Sequence, residues 1–519
     1  MTHALLTRSA RAATTLMKAN TIVPERPDRL PRALWATVRF GTGLLGAVAA
    51  SAARYPHVTA IATPSQQLTY RQLWHGSAPL ARGFAQSGID SRSTVGILCR
   101  NSPTFALALL AAARLGADVV FLNTGLGREQ LAATIESESL DLVLHDTDFA
   151  DVLGDHAGFD TATIDALSTG RGNVPRPPRS SRLVVLTSGT TGRPKGAARG
   201  SGGQAADGAL ALLGRIPMRA RDTMVVPAPF FHAWGLANLL IGLGLSATVI
   251  TTPDFDARTT LGLVAAHKAR TLVVVPTMLQ RICALPATEL AHADTDTLEI
   301  IASSGAALPG RLAREVLDRF GPVLYNVYGS TEVATATIAT PTDLRAEPTT
   351  AGRPAPGTRV AILDPLGRPV RRTEIGQIFV GNLARFDGYT GGGGKAIVDG
   401  LLSTGDMGHF DAHGRLFVDG RSDDMIVSGG ENVYPREVEE LLAHHPDIEE
   451  AVVVGVPDEK FGQALKAVVV LRAGASVHEQ TLKIHVTERL ARYKVPRTFE
   501  FVDALPRTAT GKVLRRELV

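Results

Sequence analysis

The sequence predicts an α/β fold with a large N-terminal domain and a small, separate α+β domain at the C-terminus. Three observations carry this. Short β-rich runs alternate with helical stretches over the first 350 residues or so, the pattern of parallel strands covered by helices. The texture changes near Gly352, where short strands separated by turn residues predict a β-rich subdomain over about 352–420. After Gly420 a compact α/β segment begins, and a boundary near 421–423 leaves a C-terminal domain of roughly 100 residues, a size that folds as a unit.

The elements follow in order. Val95–Cys99, the helical pattern Phe105–Leu115 and Asp118–Leu122 read as strand, helix, strand. Asp141–His145 is a further strand, and Arg182–Thr187 is an apolar strand running straight into a Gly-rich loop. Thr223–Pro227, Ala247–Thr251 and Thr271–Val275 continue the β pattern, with the apolar run Gly235–Ile250 read as a buried helix feeding a strand. Thr358–Leu363, Gly376–Val380 and Arg415–Val418 make up the β-rich part. The C-terminal segment is read as a helix at Pro435–Ala443, strands at Ala451–Val456 and Ala467–Arg472, and a helix at Gln480–Ala491.

Composition narrows the function classes. A chain of 519 residues calls for two to four domains. Its 45% hydrophobic and 20% charged content is ordinary for a globular protein. The net charge of +4 is spread along the chain, so no nucleic-acid footprint is visible. Of 54 basic residues only nine are lysines, and two of these, Lys195 and Lys512, lie in Gly-containing motifs. A compact ammonium kept in an Arg-rich background suits a point-charge role. Cys99 and Cys283 form no disulfide framework, which fits a reducing, cytoplasmic setting. Residues 1–54 read as an N-terminal helical extension without the apolar core of a secretory signal. Arg32–Arg54 fits a helix packed on the body, and it also fits an amphipathic helix in peripheral contact with the inner face of a membrane; both readings stand.

Thr187-Ser-Gly-Thr-Thr-Gly-Arg-Pro-Lys-Gly196 carries the chemistry. Hydroxyls at Thr187, Ser188, Thr190 and Thr191 alternate with Gly189 and Gly192, and Lys195 adds a positive charge. Glycine lets backbone N–H groups approach an anion, and hydroxyls add donors, so the loop reads as a polyphosphate cradle. It is not a Walker A loop, because no Gly-Lys-Ser/Thr follows. Gly41-Thr-Gly-Leu-Leu-Gly46 matches the dinucleotide pattern formally, but it follows no strand and is read as accidental. Histidines, including His444 and His445, show no metal-ligand spacing.

Further motifs stand in a fixed order: Ser303-Ser-Gly-Ala-Ala-Leu-Pro309, Tyr328-Gly-Ser-Thr-Glu332, Ser403-Thr-Gly-Asp406, the run from Gly420 to Glu440, and Pro506-Arg-Thr-Ala-Thr-Gly-Lys512. With the loop, they make the chain from about residue 55 onward resemble the adenylate-forming superfamily, and within it the acyl-CoA synthetases. The resemblance implies that superfamily's fold, with an AMP-binding domain at 55–420 and a mobile domain at 421–519. It implies that Gly305 and Ala306 line the adenine and acyl pockets, that Tyr328, Gly329, Ser330 and Thr331 border the nucleotide, and that Glu332 holds Mg²⁺. Asp406 and Arg421 are the implied ribose contacts, and Asp423 the implied hinge. Gly429 and Gly430 would meet the pantetheine arm of CoA, His232 would border the acyl pocket, and Lys512 would reach the carboxylate and α-phosphate during adenylation. The sequence departs from the common pattern at Asp399-Gly-Leu-Leu-Ser-Thr-Gly-Asp406, which lacks the aromatic residue often found after that first glycine.

The resemblance implies an ATP-dependent ligase that joins a small-molecule carboxylic acid to AMP and then to CoA. Gly/Ala-rich stretches near Ala302–Ala307 and Val333–Thr337 leave room for an apolar acid, so a medium- or long-chain fatty acid is the expectation. An aryl acid stays open, because the segment GRSDDMIVSGGENVYP also resembles benzoate-type ligases. Transfer to a carrier-protein thiol also stays open. Nucleotide binding without turnover is opposed by the presence of both Lys512 and Glu332.

Overall fold

The computed structural model describes residues 12–21, 29–154, 156–169, 176–187, 195–200, 203–428, 431–458, 461–508 and 512–519. Four sheets organise them. The first has seven strands, in the order Gly388–Tyr389, Lys195–Gly200, Arg182–Thr187, Asp118–Phe121, Thr94–Leu98, Leu142–His145 and Gly158–Asp160. Its interior pairs are parallel; the strand Lys195–Gly200 turns back antiparallel on Arg182–Thr187. The second has nine strands, with Leu324–Ser330, Ile300–Ser303, Thr271–Val274 and Thr223–Val225 side by side in its middle.

These two sheets share one core. The helix Pro103–Leu115 is buried from Pro103 through Arg114, so it is wrapped on every side, as its unbroken apolar run requires. Ser102 caps it by accepting from the Phe105 N–H at 3.1 Å. Arg114 is the one charge in this helix; its Nε donates to Ser77 Oγ at 2.8 Å and its guanidinium lies 3.7 Å from the Trp74 ring centre. Tyr70 is fully buried and donates to the Ala247 carbonyl at 2.7 Å, tying the helix Tyr70–Gln86 to the strand turn at 245–248.

A five-stranded antiparallel sheet follows, built from Arg359–Leu363, Gly376–Gly381, Ile397–Val398, Leu401–Phe410 and Leu416–Arg421. The last sheet, also of five strands, begins at Ile426–Ser428 and is backed by the helices Pro435–Ala443 and Glu479–Thr487 around a core of Val438, Leu442, Leu465 and Leu482. The mixed α/β architecture with a small C-terminal unit is the one expected.

One local expectation needs correction. The stretch Arg32–Arg54 is not one helix but two, Arg29–Phe40 and Leu44–Arg54. Gly41 breaks it at φ +80°, and a Cβ on Gly46 would fall 1.7 Å from the Gly41 carbonyl oxygen. The glycines of the formal dinucleotide pattern therefore serve a helix corner. Asp406 lies inside the ten-residue strand Leu401–Phe410. No helix among the described residues is long and apolar enough to cross a membrane.

Removing the Tyr70 hydroxyl as Tyr70→Phe leaves the Ala247 carbonyl without its buried donor, and should cost about 1–2 kcal/mol of stability in denaturant unfolding; an unchanged midpoint would mean that the bond contributes nothing.

Candidate active site

One connected cavity of about 2460 Å³ runs between the large domain and the C-terminal domain. Strand ends from three sheets deliver its polar groups. The hairpin Arg182–Thr187/Lys195–Gly200 sets Thr187 opposite Lys195, and Thr187 Oγ1 donates to the Lys195 carbonyl at 3.1 Å. Ser188, Gly189, Thr190, Thr191 and Gly192 lie outside the described residues, as do Gly429 and Gly430. Thr187 and Lys195 line the cavity at the two stems of that loop.

The hairpin Leu324–Ser330/Ala334–Ala339 presents Tyr328 to Glu332. It closes so tightly that a Cβ on Gly329 would sit 1.9 Å from the Ala334 carbonyl oxygen, so only glycine fits. Glu332 is 7% exposed. Its Oε1 accepts from the Tyr389 hydroxyl at 2.7 Å and lies 3.7 Å from Lys395 Nζ, while its Oε2 accepts from Ser330 Oγ at 2.7 Å. Burial disfavours the charge, but Lys395, Tyr389 and Ser330 outweigh it and hold the carboxyl below its ordinary range. Glu332 is thus an anion. Behind it Arg199 Nη2 donates to the Thr331 carbonyl at 2.6 Å, and burial lowers this guanidinium to about 10.

The donor set suits a hard cation. Glu332 supplies one carboxylate, and Thr331 and Thr187 supply hydroxyl oxygens on the same cavity wall. No group of three or more His, Cys, Asp or Glu side chains among the described residues could cage a metal. One carboxylate with neighbouring hydroxyls is the pattern for Mg²⁺ carried in on phosphate oxygens, not for an all-protein site.

Asp406 and Arg421 face one another across the antiparallel pair Leu401–Phe410/Leu416–Arg421. Asp406 Oδ2 accepts from the Tyr328 hydroxyl at 2.5 Å, and its Oδ1 lies 3.7 Å from Arg421 Nη1. Burial pushes the Asp406 carboxyl up, and Tyr328, Arg421, Lys395 and Lys512 offset this only in part. Arg421 Nε also donates to Asp423 Oδ1 at 2.7 Å. Lys512 is exposed on the turn that Thr508 holds, where Thr508 Oγ1 accepts from the Lys512 N–H at 3.1 Å. It lines the same cavity as Asp406 and Asp423.

The apolar end is framed by Gly305 and Ala306, after the strand Ile300–Ser303, and by His232, which precedes the helix Ala233–Gly244. Asn101 pins the approach, donating to the Ala228 carbonyl at 3.0 Å and accepting from the Phe230 N–H at 2.7 Å. The His232 ring rests 4.4 Å from that of Phe231, and its Nε2 is shielded from solvent with no hydrogen-bond partner among the described residues. Burial lowers its pKa to about 4, so the imidazole is neutral at physiological pH. Trp234 adds a ring to the same wall and donates Nε1–H to the Val274 carbonyl at 3.0 Å. Asn326 Oδ1, also in the lining residues, is buried without a partner among the described residues.

Sequence reading brought Thr187, Lys195, Glu332, Asp406, Arg421, His232 and Lys512 to this cavity, and missed Lys395, Tyr389, Arg199, Asn326 and Trp234. Lys395 carried a signal: it is one of only nine lysines and follows Gly391-Gly-Gly-Gly394.

Comparison with known proteins gives the family and the fold. Residues 48–390 match the family model "AMP-binding enzyme", and residues 437–512 match "AMP-binding enzyme C-terminal domain". An indoleacetate–CoA ligase of Aromatoleum aromaticum is 36% identical over 487 residues, covering 89% of this chain and 95% of its own length. A feruloyl-CoA synthase of an Amycolatopsis species is 33% identical over 473 residues, covering 89% and 96%. The o-succinylbenzoate CoA synthetase of Bacillus subtilis, solved with its acyl-adenylate intermediate, superposes with a TM-score of 0.81 at 27% identity, covering 91% of this chain and 97% of that one.

His232 yields a pH prediction. An unfolded histidine titrates near 6.5 and the folded one near 4, so between those values the unfolded state binds more protons. Stability is therefore lost as pH falls from about 6.5 towards 4, by about 2–3 kcal/mol from this group at the low end. His232→Gln should flatten the profile by that amount relative to the parent; parallel profiles would refute the buried neutral imidazole.

Proposed function

We propose, for a chain that belongs to the AMP-binding enzyme family, that the acid it activates is aromatic and that its product is the CoA thioester of that acid. The chain is an AMP-forming acid–thiol ligase that uses ATP. The choice of acid rests on its relatives: three of them, at 33–36% identity, are named for indoleacetate, ferulate and 2-succinylbenzoate. The aryl alternative thereby displaces the fatty acid as the favoured reading. The cavity wall supports it, since Trp234 and His232 offer rings at its apolar end. His232 Nε2 and Asn326 Oδ1 leave polar atoms there for a ring substituent.

A carboxylate resists attack by a thiol because its leaving group is poor. In the first half-reaction a carboxylate oxygen attacks the α-phosphorus of ATP, and the bond to pyrophosphate breaks. The chemistry needs alignment and charge neutralisation more than proton transfer. Lys512 brings a positive charge to the large-domain face for this step, and Lys195 steers the departing phosphates from the stem of the loop. Asp406 and Arg421 orient the ribose. Mg²⁺, held by Glu332 with Thr331, would supply charge neutralisation at the phosphates. In the second half-reaction the CoA thiolate attacks the acyl carbonyl, the bond to AMP breaks, and AMP leaves. Lys512 and a thiol cannot occupy the same approach, so a rotation about Asp423 separates the steps. The glycines at 429 and 430 would then border the pantetheine arm.

Purified protein should release AMP and pyrophosphate from ATP only when an acid and CoA are present. Over a panel of acids, arylalkanoates and hydroxycinnamates should exceed octanoate and palmitate in kcat/KM by about tenfold or more. The reverse order would restore the fatty-acid reading, and ADP release would remove the ligase. Lys512→Ala should slow acyl-adenylate formation by about a hundredfold or more while sparing thioester formation from a supplied acyl-adenylate; equal losses in both steps would refute its assigned role.

A further inference from the structure

The first 54 residues differ from the rest in charge. They carry eight basic and two acidic residues, while the other 465 carry 46 basic and 48 acidic. Within them, the helix Arg29–Phe40 contains Arg29, Arg32 and Arg39 and no acidic residue. It packs on Leu44–Arg54 through Ala33 and Ala36. The opposite face is apolar: Leu30, Leu34, Trp35 and Val38 are exposed by 45, 62, 57 and 79%. Positions 30, 34 and 38 recur every fourth residue, so they form one stripe, with Trp35 beside it. A water-facing stripe of two leucines, a tryptophan and a valine is not how a helix meets solvent.

The same region adjoins the acid-binding cavity. Leu16, Thr21, Gly43, Leu44 and Ala47 are among the residues that line it. Leu16 and Met17 on the preceding helical segment are themselves exposed by 37 and 58%.

We propose that the helix Arg29–Phe40 docks on an anionic membrane surface, lying in the interface with Leu30, Leu34, Trp35 and Val38 in the acyl boundary and the arginines at the headgroups. The charge favours this occupant: a basic, acid-free helix within a basic segment complements anionic lipid. The area disfavours a second copy of the chain. A helix of 12 residues offers a strip about 18 Å by 10 Å, far below the roughly 800 Å² per partner of a specific interface. Docking here sets the cavity beside the bilayer, where an amphiphilic acid partitions.

Vesicle binding tests this without any assumption about catalysis. The full chain is mixed with vesicles of phosphatidylcholine and phosphatidylglycerol, or of phosphatidylcholine alone, and pelleted. Binding should favour the anionic vesicles and fall several-fold between about 50 and about 500 mM salt. Trp35 emission should shift to the blue on binding, and the shift should vanish in Trp35→Phe. The double variant Leu34→Glu/Val38→Glu should bind about tenfold or more weakly while keeping the parental thermal midpoint. No binding to anionic vesicles, or undiminished binding by the double variant, overturns the proposal. So does a concentration-dependent dimer in sedimentation equilibrium that the double variant abolishes, which would assign the stripe to a second copy of this chain.

Discussion

The buried carboxylate of Glu332 is the point on which the centre of the molecule turns. A lone carboxylate buried this deeply would be costly, and in isolation its pKa would rise. Here it keeps its charge because three separate parts of the fold converge on it. Ser330 comes from the nine-stranded sheet, Tyr389 from the edge of the seven-stranded sheet, and Lys395 from the segment that leads into the strand Ile397–Val398 of the five-stranded sheet. Lys395 also donates to the Thr404 carbonyl at 2.6 Å, two residues before Asp406. One anion thus fixes the mutual position of the phosphate side and the ribose side. Removing Lys395 or Tyr389 would loosen the register between sheets as well as a local contact.

The ribose side repeats the logic with a different balance. Asp406 is held by Tyr328, whose own hydroxyl is kept protonated because burial and the neighbouring carboxylate both push its pKa up. A hydroxyl kept protonated and donating to a buried carboxylate makes a stable pair. Two carboxylates, Glu332 and Asp406, therefore sit in one cavity with opposite departures from their ordinary pKa. Burial is the largest influence on both; Lys395, Tyr389 and Ser330 together outweigh it at Glu332, while Tyr328, Arg421 and the two lysines do not at Asp406.

Much of this was legible in the sequence. Strands rich in Val, Ile and Leu, such as Arg182–Thr187 and Thr271–Val274, announce themselves through composition, and the helix Pro435–Ala443 is read to the residue. The strands Lys195–Gly200 and Leu401–Phe410 do not, because their Gly, Ala, Ser and Asp residues carry little β preference. Their ladders are imposed by the neighbours they pair with. The ordered motifs carried Glu332, Asp406 and Lys512. Lys395 and Tyr389 reach Glu332 across 63 and 57 residues of chain, and no local pattern records such a meeting. The chemistry of the acid was the least legible. Small residues such as Gly305 and Ala306 make room, but a flat ring needs that room as much as an alkyl chain does.

Arg421 holds two carboxylates at once. Its guanidinium donates to Asp423 and stands 3.7 Å from Asp406. A single cation shared between the wall of a cavity and the chain that follows it makes the free energies of the two places interdependent. A ligand that draws Arg421 toward Asp406 alters its hold on Asp423, and the converse holds by linkage.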